Sequence, residues 1–113
     1  MKYFKCHEPV LAGADLLHFY EESAAKDWID GFFLSDSKSV YAESYRKENG
    51  SDPSDDYGRA RRQPEQLKQF FLRCFKIYGF DASVVEMDVE PHHVYRWDKI
   101  KKAWLIWNPG EAY

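Results

Sequence analysis

Residues 31–45 read GFFLSDSKSVYAESY, and the way this stretch folds decides how the rest of the chain is arranged around it. Phe32, Phe33 and Leu34 form a short apolar run, read as a buried strand. Ser35 or Asp36 follows directly and can accept a hydrogen bond from the first unpaired N–H groups of a helix. That helix is predicted through Val40, Tyr41, Ser44 and Tyr45 to about Glu48, where Asn49-Gly50 stops it. The stretch is thus a strand turning into a capped helix, which fixes a backbone corner.

Working outward toward the N-terminus, Leu16, Leu17, Tyr20, Ala24 and Trp28 return at helical intervals and predict an amphipathic helix over 14–30. Asp15 falls in its first turn, where the helix dipole favours an acid, and Gly31 is its C′ stop. Lys2 to His7 alternates weakly, as an edge strand does, and Pro9 breaks it.

Toward the C-terminus comes ENGSDPSDDYGRARR, residues 48–62, with no aliphatic side chain larger than alanine. It reads as a flexible charged loop over 48–63, because it has little apolar surface to bury. Pro64 then sits at N1 of a helix ending at Tyr78 and closed by Gly79. Leu67, Phe70, Phe71, Cys74, Ile77 and Tyr78 share one face of it, and Lys68, Gln69, Arg73 and Lys76 the other. Val85, Met87 and Val89 alternate with Glu86, Asp88 and Glu90, a half-exposed strand with an acidic outer face that Pro91 ends. His93–Trp97 and Lys102–Trp107 pair as a hairpin across residues 98–101. The last strand is apolar on both faces.

The expected fold is α+β: a single compact domain with about three helices packed on a mainly antiparallel sheet of four to five strands. The element order is β-α-β-α-loop-α-β-β-β, and 113 residues suffice for one such domain. Aromatic residues make up 18% of the chain, so the core is expected to be aromatic-rich. No apolar run is long enough to span a membrane. The opening MKYFKCHEPV has no apolar h-region, so the chain is expected in the cytoplasm, with Cys6 and Cys74 as reduced, buried thiols.

Catalytic and metal motifs are sparse. Cys6-His7 and His92-His93 are adjacent pairs, and neighbours on a strand point to opposite faces, so neither pair offers two ligands to one ion. The DPSDD run lacks the ligand spacing of a calcium loop. There is no GxSxG elbow and no phosphate-binding GxxxxGK[ST]. Cys6 and His7 do not form a dyad on a straight strand, although His92 or His93 could reach Cys6 through the fold. A net charge of −3 disfavours nucleic acid as the partner, because acids dilute both basic clusters (Arg59, Arg61 and Arg62; Lys99, Lys101 and Lys102).

Two segments resemble the ADP-ribosyltransferase superfamily in its poly-ADP-ribose-polymerase-like branch. Gly31 to Ser39, with Tyr41 or Tyr45 following, resembles the family's glycine, short aromatic strand and Ser-Lys-Ser helix start. Trp104 to Glu111 resembles the late strand followed by Asn-Pro and an acid, and Tyr3–His7 with Leu11 and Gly13 resembles the first strand. These stretches cover about a third of the chain. The resemblance implies NAD held by a histidine, a tyrosine and a glutamate, but the matching positions are Lys5 (or His7 in a shifted register), Phe33 and Ala103. It therefore implies a catalytically silent relative.

Function is expected to be non-enzymatic, with no cofactor. The size and composition suit a small inhibitor that binds a larger protein, of the phage or mobile-element anti-defence or toxin-immunity kind. The expected contact residues are Asp52, Asp55, Asp56, Tyr57, Arg59 and Arg61, since aromatic and arginine side chains anchor interfaces and aspartates meet basic patches. The alternative is an NAD-using ADP-ribosyltransferase that modifies a protein target, with His7 or Glu111 supplying the missing groups from unexpected positions.

Overall fold

The computed structural model describes residues 2–8, 15–87 and 94–107. Strand β1, Lys2–Glu8, pairs antiparallel on both sides, with β2 (Leu16–Tyr20) and with β3 (Asp81–Glu86). The β1–β3 register is one the sequence can enforce. Tyr3, Phe4 and Cys6 face Val85, Val84 and Ala82, while Lys2, Lys5 and His7 face Glu86, Ser83 and Asp81. A slip by one residue would mix the two sets. Strands β4 (Val94–Asp98) and β5 (Ala103–Trp107) extend the sheet beyond β2, giving the order β3-β1-β2-β4-β5 with every neighbour antiparallel. The Asp98 carboxylate closes the β4–β5 turn by accepting N–H bonds from Ile100 (2.8 Å) and Lys101 (2.9 Å), and its pKa is lowered chiefly by the Lys101 N–H.

Between β2 and β3 lie α1 (Glu22–Ile29), a π-helical turn (Asp30–Leu34), α2 (Val40–Asn49), α3 (Pro53–Ala60) and α4 (Pro64–Tyr78). The fold class is α+β, with four α-helices among the described residues where about three were expected. The chain divides into two compact units, Met1–Glu22 with Gly79–Tyr113, and Ser23–Tyr78. The first unit holds the sheet and the second the helices.

Several elements differ from the sequence reading, each for a local reason. β1 is interior, not an edge strand; it buries Tyr3 on one face and Phe4 and Cys6 on the other, which blurs its alternation. The helix expected over 14–30 is a strand followed by a shorter helix. Leu16 and Leu17 are adjacent and both buried, as neighbours on opposite faces of a strand can be, and the helix starts only at Glu22. Spacings of three and four can arise across such a junction by coincidence.

Phe32–Leu34 is not a strand. It continues α1 as a wider turn, closed by Ser35 N–H donating to Asp30 C=O at 2.8 Å, the five-residue step of a π-helix. Gly31 therefore lies inside the helical run and is not its stop. The wide turn lets Phe32 approach Trp28 (4.7 Å between centroids) while Phe33 is fully buried beside Trp28, Tyr41 and Tyr45. Aromatic packing thus outweighs the strand-like run. The cap of α2 is Ser39, not Ser35 or Asp36: Ser39 Oγ accepts from Ala42 N–H (3.1 Å) and donates to the Phe32 carbonyl (3.0 Å).

Gly50 stops α2 as expected, with φ +72° and its N–H on the Arg46 carbonyl. α4 has the predicted ends, Pro64 and Tyr78, with Gly79 beyond at φ +115°. Its buried residues are Phe70, Phe71, Cys74 and Phe75, so Phe75, 5.1 Å from Trp28, belongs to the core in addition to the face expected from the periodicity. Leu67, Ile77 and Tyr78 are only half-buried. β3 ends at Glu86, and Asp88, Val89, Glu90, Pro91, His92 and His93 lie outside the described residues, as do Pro9, Leu11, Gly13 and 108–111.

Candidate functional site

The segment expected as a loop over 48–63 carries α3. A proline at its start contributes a preset φ, and Asp52 caps it by accepting the Ser54 N–H at 2.9 Å. Asp55 and Asp56 add negative charge to the first turn and Arg59 positive charge to the last, as the helix dipole favours. What apolar surface the helix lacks is replaced by a polar hub. Asp56 Oδ2 accepts hydrogen bonds from Tyr45 Oη (2.6 Å) and Ser51 Oγ (2.7 Å), and its Oδ1 accepts from Arg59 Nη2. Arg73 Nε donates in turn to Tyr45 Oη at 3.4 Å, which joins α2, α3 and α4 in one network.

Electrostatics follow from this arrangement. Partial burial pushes the Asp56 carboxyl up, but the hydrogen bonds from Tyr45, Ser51 and Arg59 outweigh it and hold the pKa below the ordinary value. The Tyr45 hydroxyl goes the other way: burial and then its bond to Asp56 raise it, against the opposing pull of Arg73. Tyr45 therefore stays a neutral donor and Asp56 a charged acceptor.

The six expected contact residues separate into two groups. Asp52 and Asp56 are committed to the fold, Asp52 as the cap and an ion-pair partner of Arg46 (3.4 Å). Tyr57 is half-buried, its ring 5.8 Å from Phe70 and within cation-π range of Lys26 (5.9 Å). Asp55, Arg59 and Arg61 are exposed. Beside them a groove of about 500 Å³ is lined by Asp56, Arg59, Glu65, Gln66, Gln69 and Arg73, a mixed-charge floor with arginines at both sides. This groove is not legible in the sequence, because its walls come from two helices and one of them, α3, carries no apolar periodicity.

Sequence reading also missed two histidine–carboxylate pairs on the β1–β2 hairpin. His7 Nε2 lies 3.0 Å from Asp15 Oδ2, and His18 Nε2 lies 2.9 Å from Glu8 Oε2. Alternation along the paired strands places them on opposite faces, a pattern that is visible only once 16–20 is known as a strand. His7 also lines a shallow groove with Lys5, Leu17, Asp81, Ser83 and Trp104. The register sets Cys6 across from His18, but burial pushes that thiol up to about 12, and its Sγ contacts the Phe4 carbonyl at 3.9 Å. Such a thiol is a core residue, not a nucleophile. Cys74 is likewise buried with its pKa raised by desolvation.

Of the positions carried by the ADP-ribosyltransferase resemblance, Phe33 is in the aromatic core, Lys5 and His7 are on β1 and Ala103 opens β5. Among the described residues no three His, Cys, Asp or Glu side chains gather to hold a metal ion, and no helix is long and apolar enough to cross a membrane. Comparison with family models, curated proteins and solved structures finds no match to this chain.

Proposed function

We propose that this protein works by binding rather than by chemistry, as a small cytoplasmic inhibitor of a larger protein that it contacts through the outward side of α3. The observation that carries the reading is the division among the charged residues of 52–61. Asp52 and Asp56 hold the helix in place, while Asp55, Arg61 and Arg59, which is paired with Asp56 yet exposed, lie on a surface that is already ordered. A preformed surface avoids most of the ordering cost that a loose loop would meet on binding. The mixed charges favour a partner of complementary pattern, and the groove beside Arg59 and Arg73 offers a place for one of its side chains. An anti-defence or toxin-immunity role rests on size and mixed charge alone.

The test compares capture by the parent chain and by an Asp55→Ala/Arg59→Ala/Arg61→Ala variant whose circular dichroism is unchanged. A defined host protein bound by the parent should be bound at least about tenfold more weakly by the variant. Equal affinity would overturn the assignment to α3. Nicotinamide release from NAD above the blank would overturn the non-enzymatic reading.

A further inference from the structure

Among the described strands, β3 ends the sheet on one side and β5 on the other, and the two edges differ in kind. β3 carries Asp81 and Glu86 at its ends, charges that discourage a second sheet from pairing there. β5 reads Ala-Trp-Leu-Ile-Trp, with no charge, proline or glycine, and Trp104 and Ile106 on one of its faces are 36% and 46% exposed. A strand of this composition at a sheet edge is a template for another strand.

Its hydrogen-bonding direction follows from one bond. Trp97 N–H donates to the Asp15 carbonyl at 2.9 Å, so Trp97 turns its main-chain groups toward β2 and away from β5. Trp97–Trp104 is then a non-hydrogen-bonded pair of the β4–β5 ladder, as is Tyr95–Ile106 two residues along. The main-chain N–H and C=O of Trp104 and Ile106 consequently point outward from the edge, while those of Leu105 point to β4.

The geometry points to a second copy of this chain as the occupant, joined edge to edge through β5 about a twofold axis at Leu105. Antiparallel pairing centred there sets Trp104 of one copy against Ile106 of the other, and the reverse. The residues whose main-chain groups point outward are the ones that meet, each pair exchanging two hydrogen bonds. The same register brings the exposed Trp104 and Ile106 side chains together on one face, an aromatic–β-branched cross-strand pair. The strand is thus complementary to itself, as a twofold interface requires, and the joint continues the antiparallel pattern of the whole sheet.

Sedimentation velocity of the full chain tests this independently of any inhibited partner. The parent should sediment at twice its 13.4 kDa as concentration rises. Ile106→Lys, which adds an edge charge at a half-exposed position, should weaken the dimer about tenfold or more. Val40→Lys, at an exposed apolar residue outside the sheet, should leave it unchanged. A parent that stays monomeric, or an Ile106→Lys chain that dimerises like the parent, would overturn the proposal. Should Ile106→Lys lose its fold, the decision passes to oxidative cross-linking. Leu105→Cys, opposite itself across the axis, should form an intermolecular disulfide, and Lys101→Cys in the turn should not. Equal cross-linking of the two, or none at Leu105→Cys, would overturn it.

Discussion

Helices α3 and α4 follow one another in the chain and both begin at a proline, yet they are held by opposite means. α4 presents Phe70, Phe71, Cys74 and Phe75 to the core. α3 buries only Pro53 and Ala60, and is tied down by Asp52 and by the Asp56 hub. The difference teaches that a helix can be secured by apolar area or by a converging set of hydrogen bonds. Only the first leaves a periodic trace in the sequence.

The sharpest way to break the comparison is to remove one anchor of each kind. Phe70 is fully buried, with its ring near those of Tyr45, Tyr57 and Phe71. Phe70→Ala should cost ~3–5 kcal/mol in urea denaturation. Asp56→Ala should cost less, ~2 kcal/mol, because it strands the buried Tyr45 hydroxyl and Ser51 and removes a charge-assisted acceptor. Were Asp56→Ala to cost nothing, α3 would owe its place to something other than the hub.

The same hub predicts a pH dependence. The Asp56 pKa is lower in the folded chain than in the unfolded one, so the unfolded state binds more protons as pH falls. Its contribution is fully present above the unfolded value of about 3.9 and is lost as pH drops below it through the folded value. Stability measured across that window should fall more steeply for the parent than for Asp56→Asn. Identical slopes would show that the carboxylate is not stabilised in the folded state.

These contrasts also mark what the sequence could reveal. α4, the Gly50 and Gly79 stops and the β4–β5 hairpin were legible because each rests on local signals: apolar periodicity, glycine at positive φ, and two β-rich runs around a polar turn. The Leu16–Tyr20 strand and the Phe32–Leu34 π turn were not. In both, partners distant in sequence override the local pattern: β1 pairs with Leu16–Tyr20, while Tyr41, Tyr45 and Tyr78 surround Phe32 and Phe33. In the candidate site, residue identity was legible and role was not. Asp52, Asp55 and Asp56 look alike in sequence, but one caps a helix, one is exposed and one is the hub, and only three-dimensional neighbours separate them.

Capping gives a smaller and more local test. Asp52→Ala should cost ~1 kcal/mol, the usual value of a side-chain N-cap, with a little more from the Arg46 ion pair. Asp52→Asn keeps a capping oxygen and should recover most of the loss. If asparagine were as damaging as alanine, charge rather than the cap would be the anchor at this end of α3.

The smallest effects are expected where the two helices resemble each other, on their solvent faces. Lys76 on α4 and Asp55 on α3 are both exposed. Among the described residues neither side chain joins a hydrogen bond or ion pair, so Lys76→Ala should change stability by less than about 0.5 kcal/mol. Asp55→Ala is slightly different, because Asp55 lies in the first turn of its helix, where a negative charge meets the positive end of the dipole. Its loss should cost about 0.3–0.5 kcal/mol at low salt and less as salt rises, since an exposed charge is screened. A salt-dependent difference between the two variants would place Asp55 in a dipole role as well as on the surface proposed to meet a partner. A difference that ignores salt, or an Asp55→Ala cost as large as that of Asp56→Ala, would mean that Asp55 is a third anchor of α3, and the outward side of that helix would no longer be open for binding.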